Sequence, residues 1–329
     1  MLEHGGHLID AINKYNIPKQ QWLDLSTGIN PNGWPIPDIP AECWQRLPET
    51  ADGLVKAAQQ YYQCSSILPV AGSQAAIQTL PLLRAKSKVG VLIPAYAEHA
   101  YSWKQAGHHV IELNNEDIAS QLHQIDVLIL INPNNPTGKR FTKQQLLDWH
   151  SQLKQRKGWL IVDEAFIDST PEESLSDFPV CEGLIILRSI GKFFGLAGIR
   201  CGFVLTEVSL LMALNEKLGP WAISHPSRYI ATRALLDKNW QQQTGLALKS
   251  QSIRLVSLLA KYDLRAENAT DLFVWVKTSI APQLYEQLAQ QGLLTRLFSV
   301  PNSLRFGLPK NEQQWDYLTC CLKKVSSGE

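Results

Sequence analysis

The segment Ser189-Ile190-Gly191-Lys192-Phe193-Phe194-Gly195-Leu196-Ala197-Gly198-Ile199-Arg200 sets one lysine among small residues, with a hydroxyl before it and an arginine after it. A lysine that must condense with a carbonyl has to be held close to it and partly desolvated, so that the free amine is available. Glycines around it let a bulky planar ligand approach the backbone. Ser189 and Arg200 supply a hydroxyl and a fixed positive charge, the groups that a phosphate wants. Alone, S-x-x-K reads better as a surface lysine in a glycine-rich loop, so the rest of the chain must decide.

Two distant segments carry matching chemistry. Asn132-Pro133-Asn134-Asn135-Pro136-Thr137-Gly138 follows the apolar run Val127–Ile131, and Val162-Asp163-Glu164-Ala165-Phe166 closes the run Trp159–Val162. Each places polar residues just past the C-terminal end of a buried strand, where open α/β sheets bind ligands. Taken singly, Asp163 reads also as a helix cap and Asn135 as part of an Asn-Pro turn. In order and spacing, the set N-P-x-N-P-T-G, D-E-A, S-x-G-K and R-x-G resembles the class I/II aminotransferase family of fold-type I pyridoxal 5'-phosphate (PLP) enzymes, from roughly Asp24 to Leu308.

That resemblance implies a set of roles. Lys192 would carry PLP covalently, Asp163 would sit beside the pyridine nitrogen, and Asn135 would meet the ring's 3'-oxygen. Gly72-Ser73-Gln74, opening a helix, would bind the phosphate together with Ser189 and Arg200; many helices open with Gly-Ser. Tyr96 would stack on the ring, although a core tyrosine reads the same way. Arg305, in a strand otherwise apolar, would pair with a substrate carboxylate, for which a bidentate guanidinium is suited.

The N-terminal segment discriminates among reactions. It reads His4-Gly5-Gly6-His7, then Leu23-Asp24-Leu25-Ser26-Thr27-Gly28-Ile29-Asn30-Pro31-Asn32-Gly33. An H-G-G start, a D-x-S-x-x-I-N-P-x-G segment and Phe166 after D-E-A resemble the decarboxylase branch of this family, which serves cobalamin biosynthesis and acts on a phosphorylated amino acid. The alternative is the aminotransferase branch acting on histidinol phosphate or a related phosphorylated compound. His4, Gly28, Asn30 and Arg305 are then the expected substrate-binding groups. The chain departs from its relatives at Leu47-Pro48-Glu49, where many have a Tyr-Pro-Asp whose tyrosine reaches the partner subunit's cofactor. Phe166 likewise lacks a hydroxyl for the 3'-oxygen.

These residues need a scaffold, and the middle of the chain supplies one. Short apolar runs alternate with helical patterns, the signature of βαβ units and a parallel sheet. The pattern predicts strands at Val89–Ile93, His109–Leu113, Val127–Ile131, Trp159–Val162, Leu184–Leu187 and Gly202–Leu205, with helices at Ser73–Arg84, Ala97–Ala106 and Thr142–Arg156. One long helix is predicted from Pro226 to about Tyr262. Beyond it lie strands at Leu272–Val276, Leu293–Phe298 and Ser303–Phe306 and helices at Ala281–Gln291 and Glu312–Lys324. The expected fold class is α/β: a large, mostly parallel-sheet PLP-binding domain over 41–225, a smaller α+β domain over 226–329, and a loop-rich N-terminal segment over 1–40.

Composition sets the remaining bounds. A formal net charge of +1 with 19% charged residues gives no electrostatic case for nucleic acid or an anionic membrane surface. The six cysteines match no zinc spacing, so no metal is expected. No stretch reads as a signal peptide or a membrane span, which points to a cytoplasmic protein. A ligand-sensing regulator would need a basic DNA-binding domain before Asp24, for which there is no room. A homodimer is expected from the resemblance and from a proline-rich N-terminal segment without a core of its own.

Overall fold

The computed structural model describes residues 5–327. The chain forms two compact units, one of residues 34–135 and 140–242, the other of residues up to Gly33, Pro136–Lys139 and residues from Gln243 onward.

The larger unit is built on a seven-stranded sheet in the order Ile67–Val70, Gly202–Leu205, Leu184–Ser189, Trp159–Asp163, Val127–Ile131, Lys88–Leu92, His109–Leu113. The last five run parallel, and Gly202–Leu205 is antiparallel to both its neighbours. Val127–Ile131 and Leu184–Ser189 are buried at every position, which is why they read as continuous apolar runs with no alternation. The strand Ile67–Val70 was not legible in this way. It contains Pro69, which the ladder tolerates because the strand lies at the sheet edge.

Register aligns the strand ends that matter. Ile131 pairs with Asp163, Asp163 pairs with Leu187, and the backbone carries on with Asn132 N–H to Asp163 O and Glu164 N–H to Leu187 O, both at 2.9 Å. The three segments singled out from sequence therefore leave the sheet at one edge. Of the predicted helices, Lys143–Lys154 opens with a capping box between Thr142 and Gln145. Helices Leu54–Tyr62 and Val208–Leu218 carry no side-chain cap and gave no start signal.

The long helix expected from Pro226 is two helices, His225–Leu236 and Lys238–Ala260. Asp237 breaks it. Its Oδ1 accepts from the Trp240 N–H at 3.1 Å, capping the second helix, and its Oδ2 accepts from Trp34 Nε1 at 3.0 Å.

The smaller unit has a four-stranded antiparallel sheet in the order Arg296–Ser299, Asn302–Gly307, Phe273–Lys277, Asn268–Thr270. The expected single strand Leu293–Phe298 is divided, because its two halves serve different partners. Leu293–Leu294 pairs in parallel with Leu23–Asp24, whereas Arg296–Ser299 pairs with Asn302–Arg305. The N-terminal segment is less irregular than expected: Leu8–Tyr15 is a helix, tied to the Ala281–Gln290 helix by Lys14 and Tyr15, which donate to Glu286 at 2.9 and 2.8 Å. Among the described residues no helix is long and apolar enough to cross a membrane.

Candidate active site

In the larger unit, the strand ends and the Ser73–Thr79 helix surround a small cavity of about 130 Å³, lined by Ser73, Gln74, Tyr96, Asn135, Asp163, Phe166, Ser189, Lys192 and Arg200 among others. Residues drawn from five separated segments of sequence thus converge on one space. A larger cleft of about 670 Å³ opens elsewhere in this unit among Pro48, Val208, Met212 and Trp221. The smaller cavity is the candidate site because it gathers the groups that can do chemistry.

Asp163 is buried and held from two sides. Its Oδ1 accepts from the Ala165 N–H at 3.1 Å, and its Oδ2 lies 2.9 Å from His99 Nε2. An ionised carboxylate only accepts, so the His99 tautomer that completes this bond carries its proton on Nε2. His99 was not singled out from sequence. Its signal was slight: it stands one helical turn beyond Tyr96, on the helix Glu98–Gln105. Tyr96 donates its hydroxyl to Gln74 Oε1 at 3.2 Å, and Gln74 donates to Glu98 at 2.7 Å. Burial, with Glu98 and Asp163 nearby, pushes the Tyr96 phenol up to about 12. It is a neutral hydroxyl at any physiological pH.

The loop carrying Asn135 is pinned by Asn132, whose side chain exchanges two hydrogen bonds with the Phe141 backbone, and by Asn134, which donates to Pro94 O at 2.9 Å. Lys192 Nζ lies 5.6 Å from the centre of the Phe166 ring, so an aromatic wall stands where a tyrosine hydroxyl was absent from the sequence. Behind Lys192 the Phe193 and Phe194 rings pack on Trp240, Phe194 stacking at 5.5 Å.

The anion end is shaped by glycine. Gly72 has φ +70°, and a Cβ there would lie 2.7 Å from Arg200 Nη2, so Arg200 lies directly over a bare backbone. Arg200 itself adopts the left-handed conformation with φ 51°. Ser189 Oγ accepts from the Gly191 N–H at 3.2 Å. Gly72, Ser73, Ser189 and Arg200 together offer N–H, hydroxyl and guanidinium groups around one hollow, the donor set that PLP's phosphate requires, while Asp163 and Lys192 offer the carboxylate and amine for its ring. The residues present fit that cofactor.

The smaller unit gathers the other predicted residues. Arg305 is buried and donates from Nη2 to Ser26 O at 2.7 Å, with Phe273 beneath its guanidinium at 5.2 Å. The Gly6 N–H donates to Ser26 Oγ at 2.9 Å, so Gly6, the D-x-S segment and Arg305 meet. Gly28 and the buried Asn30 follow in the same segment, with Asn30 Oδ1 accepting from the Asn32 N–H at 2.9 Å. His4 lies outside the described residues. Sequence reading missed Arg296, which stands directly opposite Arg305 in the strand register. Burial first, and then the Arg296 charge, pull the Arg305 guanidinium down to about 10. Such a site favours an anion. A cavity of about 370 Å³ extends from Gly5, Gly6 and Ser26 past Thr295 and Arg296.

The fold and this residue set define a PLP enzyme of fold type I, and the chain belongs to the family described as aminotransferase class I and II, whose pattern matches residues 46–319. It is 49% identical to the threonine-phosphate decarboxylase of Pseudomonas aeruginosa over 98% of this chain and 97% of that protein. It is 38% identical to that of a Sinorhizobium species, over 93% and 92%. It shares its fold with the histidinol-phosphate aminotransferase of Sinorhizobium meliloti solved with PLP, with a TM-score of 0.86, 18% identity, and coverage of 99% of this chain and 96% of that one.

Proposed function

We propose that this chain is a PLP-dependent carboxy-lyase that converts L-threonine O-3-phosphate to (R)-1-aminopropan-2-yl phosphate and carbon dioxide, a step of cobalamin biosynthesis. The observation that carries this reading is the 49% identity, end to end, with a threonine-phosphate decarboxylase. PLP, when bound, supplies an electron sink for bonds at the substrate's Cα. The remaining work falls to the chain's own residues.

Asp163, held by Ala165 and His99, would keep a proton on the pyridine nitrogen, and Asn135 would donate to the ring oxygen. Ser73, Ser189, Arg200 and the backbone at Gly72 would hold the phosphate, with Gln74 beside them and Tyr96 against the ring. Arg305 binds the substrate carboxylate, with Gly28 and Asn30 as backbone and amide neighbours, and His4 meets the substrate phosphate. A second cation at Arg296 suits a substrate that carries both a carboxylate and a phosphate. Binding energy from that remote phosphate orients the Cα–carboxylate bond for cleavage. The carboxylate departs as carbon dioxide, its bonding electron pair stays at Cα, and Lys192 Nζ delivers the proton that completes the product.

The working unit is a homodimer in the cytoplasm. A second copy suits the apolar rim of the larger cleft, where Val208, Met212 and Trp221 are 62%, 69% and 60% exposed. All six cysteines are free thiols, in keeping with a reducing compartment.

The test is turnover of two substrates side by side: O-phosphothreonine alone, and histidinol phosphate with 2-oxoglutarate. Turnover of the first is expected. Turnover of the second alone would establish the aminotransferase instead.

A further inference from the structure

Behind the cofactor cavity lies a buried group of charges that the reaction does not use. Arg188 is 2% exposed and is the next-to-last residue of the strand Leu184–Ser189, which leads into Lys192. Its Nη1 donates to Glu164 Oε2 and to Ser174 Oγ, both at 2.7 Å, and its Nη2 donates to Asp168 Oδ1 at 2.6 Å. The guanidinium lies 4.5 Å over the Tyr62 ring. Glu164 also accepts from the Ser174 hydroxyl and, at 2.8 Å, from the Leu175 N–H. Asp168 accepts from the Tyr61 hydroxyl at 3.1 Å, and the Tyr61 ring packs on Phe194, two residues past Lys192, at 5.5 Å.

One cation therefore serves two buried carboxylates. Burial opposes the charge on Arg188, but Asp168 and Glu164 outweigh it and hold the guanidinium above its ordinary range. Burial raises both carboxyls in turn. Buried clusters of this kind are weak sources of stability, because desolvation offsets the attraction, and apolar residues of similar volume often do as well. The cluster's placement suggests a different use. Glu164 follows Asp163 directly, and Arg188 precedes Ser189 directly. The bond between Glu164 N–H and Leu187 O joins the two segments just where they leave the sheet. Beyond that point the Arg188 fork spans the gap.

We propose that Arg188 is a positioning residue for the cofactor: through Glu164 and Asp168 it fixes the spacing between Asp163 on one strand end and Ser189 with Lys192 on the next. This rests on the assignment of Asp163 and Lys192 to PLP. The ring of that cofactor is rigid and carries its nitrogen and its carbonyl carbon at opposite ends, so the two segments must stand a fixed distance apart. A planar fork reaches two carboxylates at once. A lysine keeps the charge but reaches one of them well.

The test compares apoprotein of the wild type, Arg188→Lys, and the charge-neutral Glu164→Gln/Asp168→Asn/Arg188→Met variant. Thermal midpoint and PLP dissociation constant are read separately, together with the absorbance maximum of the bound cofactor. Arg188→Lys is expected to bind PLP at least tenfold more weakly with a shifted maximum. The neutral variant is expected to fold with a midpoint close to wild type and to show the same loss of affinity; it decides the matter if Arg188→Lys does not fold. PLP affinity within tenfold of wild type in the folded variants, whatever their midpoints, would overturn the proposal and leave the cluster a structural one. Borohydride reduction and peptide mapping of the wild type settle the underlying assignment independently: a pyridoxyl group on a lysine other than Lys192 would refute that reading instead.

Discussion

His99 Nε2 stands 2.9 Å from Asp163 Oδ2, with both side chains buried and Asp163 lining the candidate cavity. The carboxylate proposed to meet the cofactor's pyridine nitrogen thus has a dedicated donor on a helix of its own. Replacing His99 with phenylalanine removes a hydrogen bond to a charged group, worth about 1.5–3 kcal/mol, so kcat/KM should fall roughly 10- to 100-fold. A folded His99→Phe variant with wild-type kcat/KM would show that the carboxylate does not depend on this bond.

Gly72→Ala should damage the phosphate end. The new Cβ would lie 2.7 Å from Arg200 Nη2, on a residue with φ +70°. Displacement of Arg200 and a backbone conformation (φ 70°, ψ 157°) open essentially to glycine together cost about 1–3 kcal/mol. PLP dissociation measured by dialysis should rise about tenfold, and Gly72→Ala with wild-type affinity would show that Arg200 does not depend on the bare backbone.

Arg305 should trade stability for binding. Its folded pKa, about 10, is below that of an arginine in the unfolded chain, so its charged form is disfavoured by folding throughout the neutral range. That disadvantage is lost only as pH rises through 10. Arg305→Met should therefore keep or raise the thermal midpoint at pH 7 while increasing KM for O-phosphothreonine roughly 10- to 100-fold, the loss of a charged hydrogen bond. Throughout the neutral range Arg305 stays protonated, as an anionic substrate requires. A midpoint that collapses with KM unchanged would assign Arg305 to packing.

Much of this site was legible because strongly apolar runs ended in polar residues. Val127–Ile131 before Asn132 and Trp159–Val162 before Asp163 announced both the strands and the edge where they open. Lys192, Ser189 and Arg200 were legible as a glycine-rich set. What escaped was set by tertiary partners. His99 acquires its meaning from Asp163, 64 residues away, and Arg296 from its register opposite Arg305. Asp237 breaks a helix that propensity alone would continue, since its carboxylate serves Trp34 and Trp240 at once.

Assembly is testable at Trp221, which is exposed and held at φ 58°, a conformation that costs a bulky side chain about 1–2 kcal/mol. Placing a charge there, Trp221→Glu, should shift sedimentation from dimer toward monomer at micromolar concentration and lower activity in proportion. A wild-type protein that is an active monomer at working concentration would contradict the dimer outright.

The most direct measurement follows the carboxyl carbon. Enzyme supplied with carboxyl-labelled O-phosphothreonine, PLP and no keto acid should release one labelled carbon dioxide for each 1-aminopropan-2-yl phosphate formed, and unphosphorylated threonine should react far more slowly. Turnover that requires 2-oxoglutarate and retains the label in the product would contradict the decarboxylase and establish an aminotransferase.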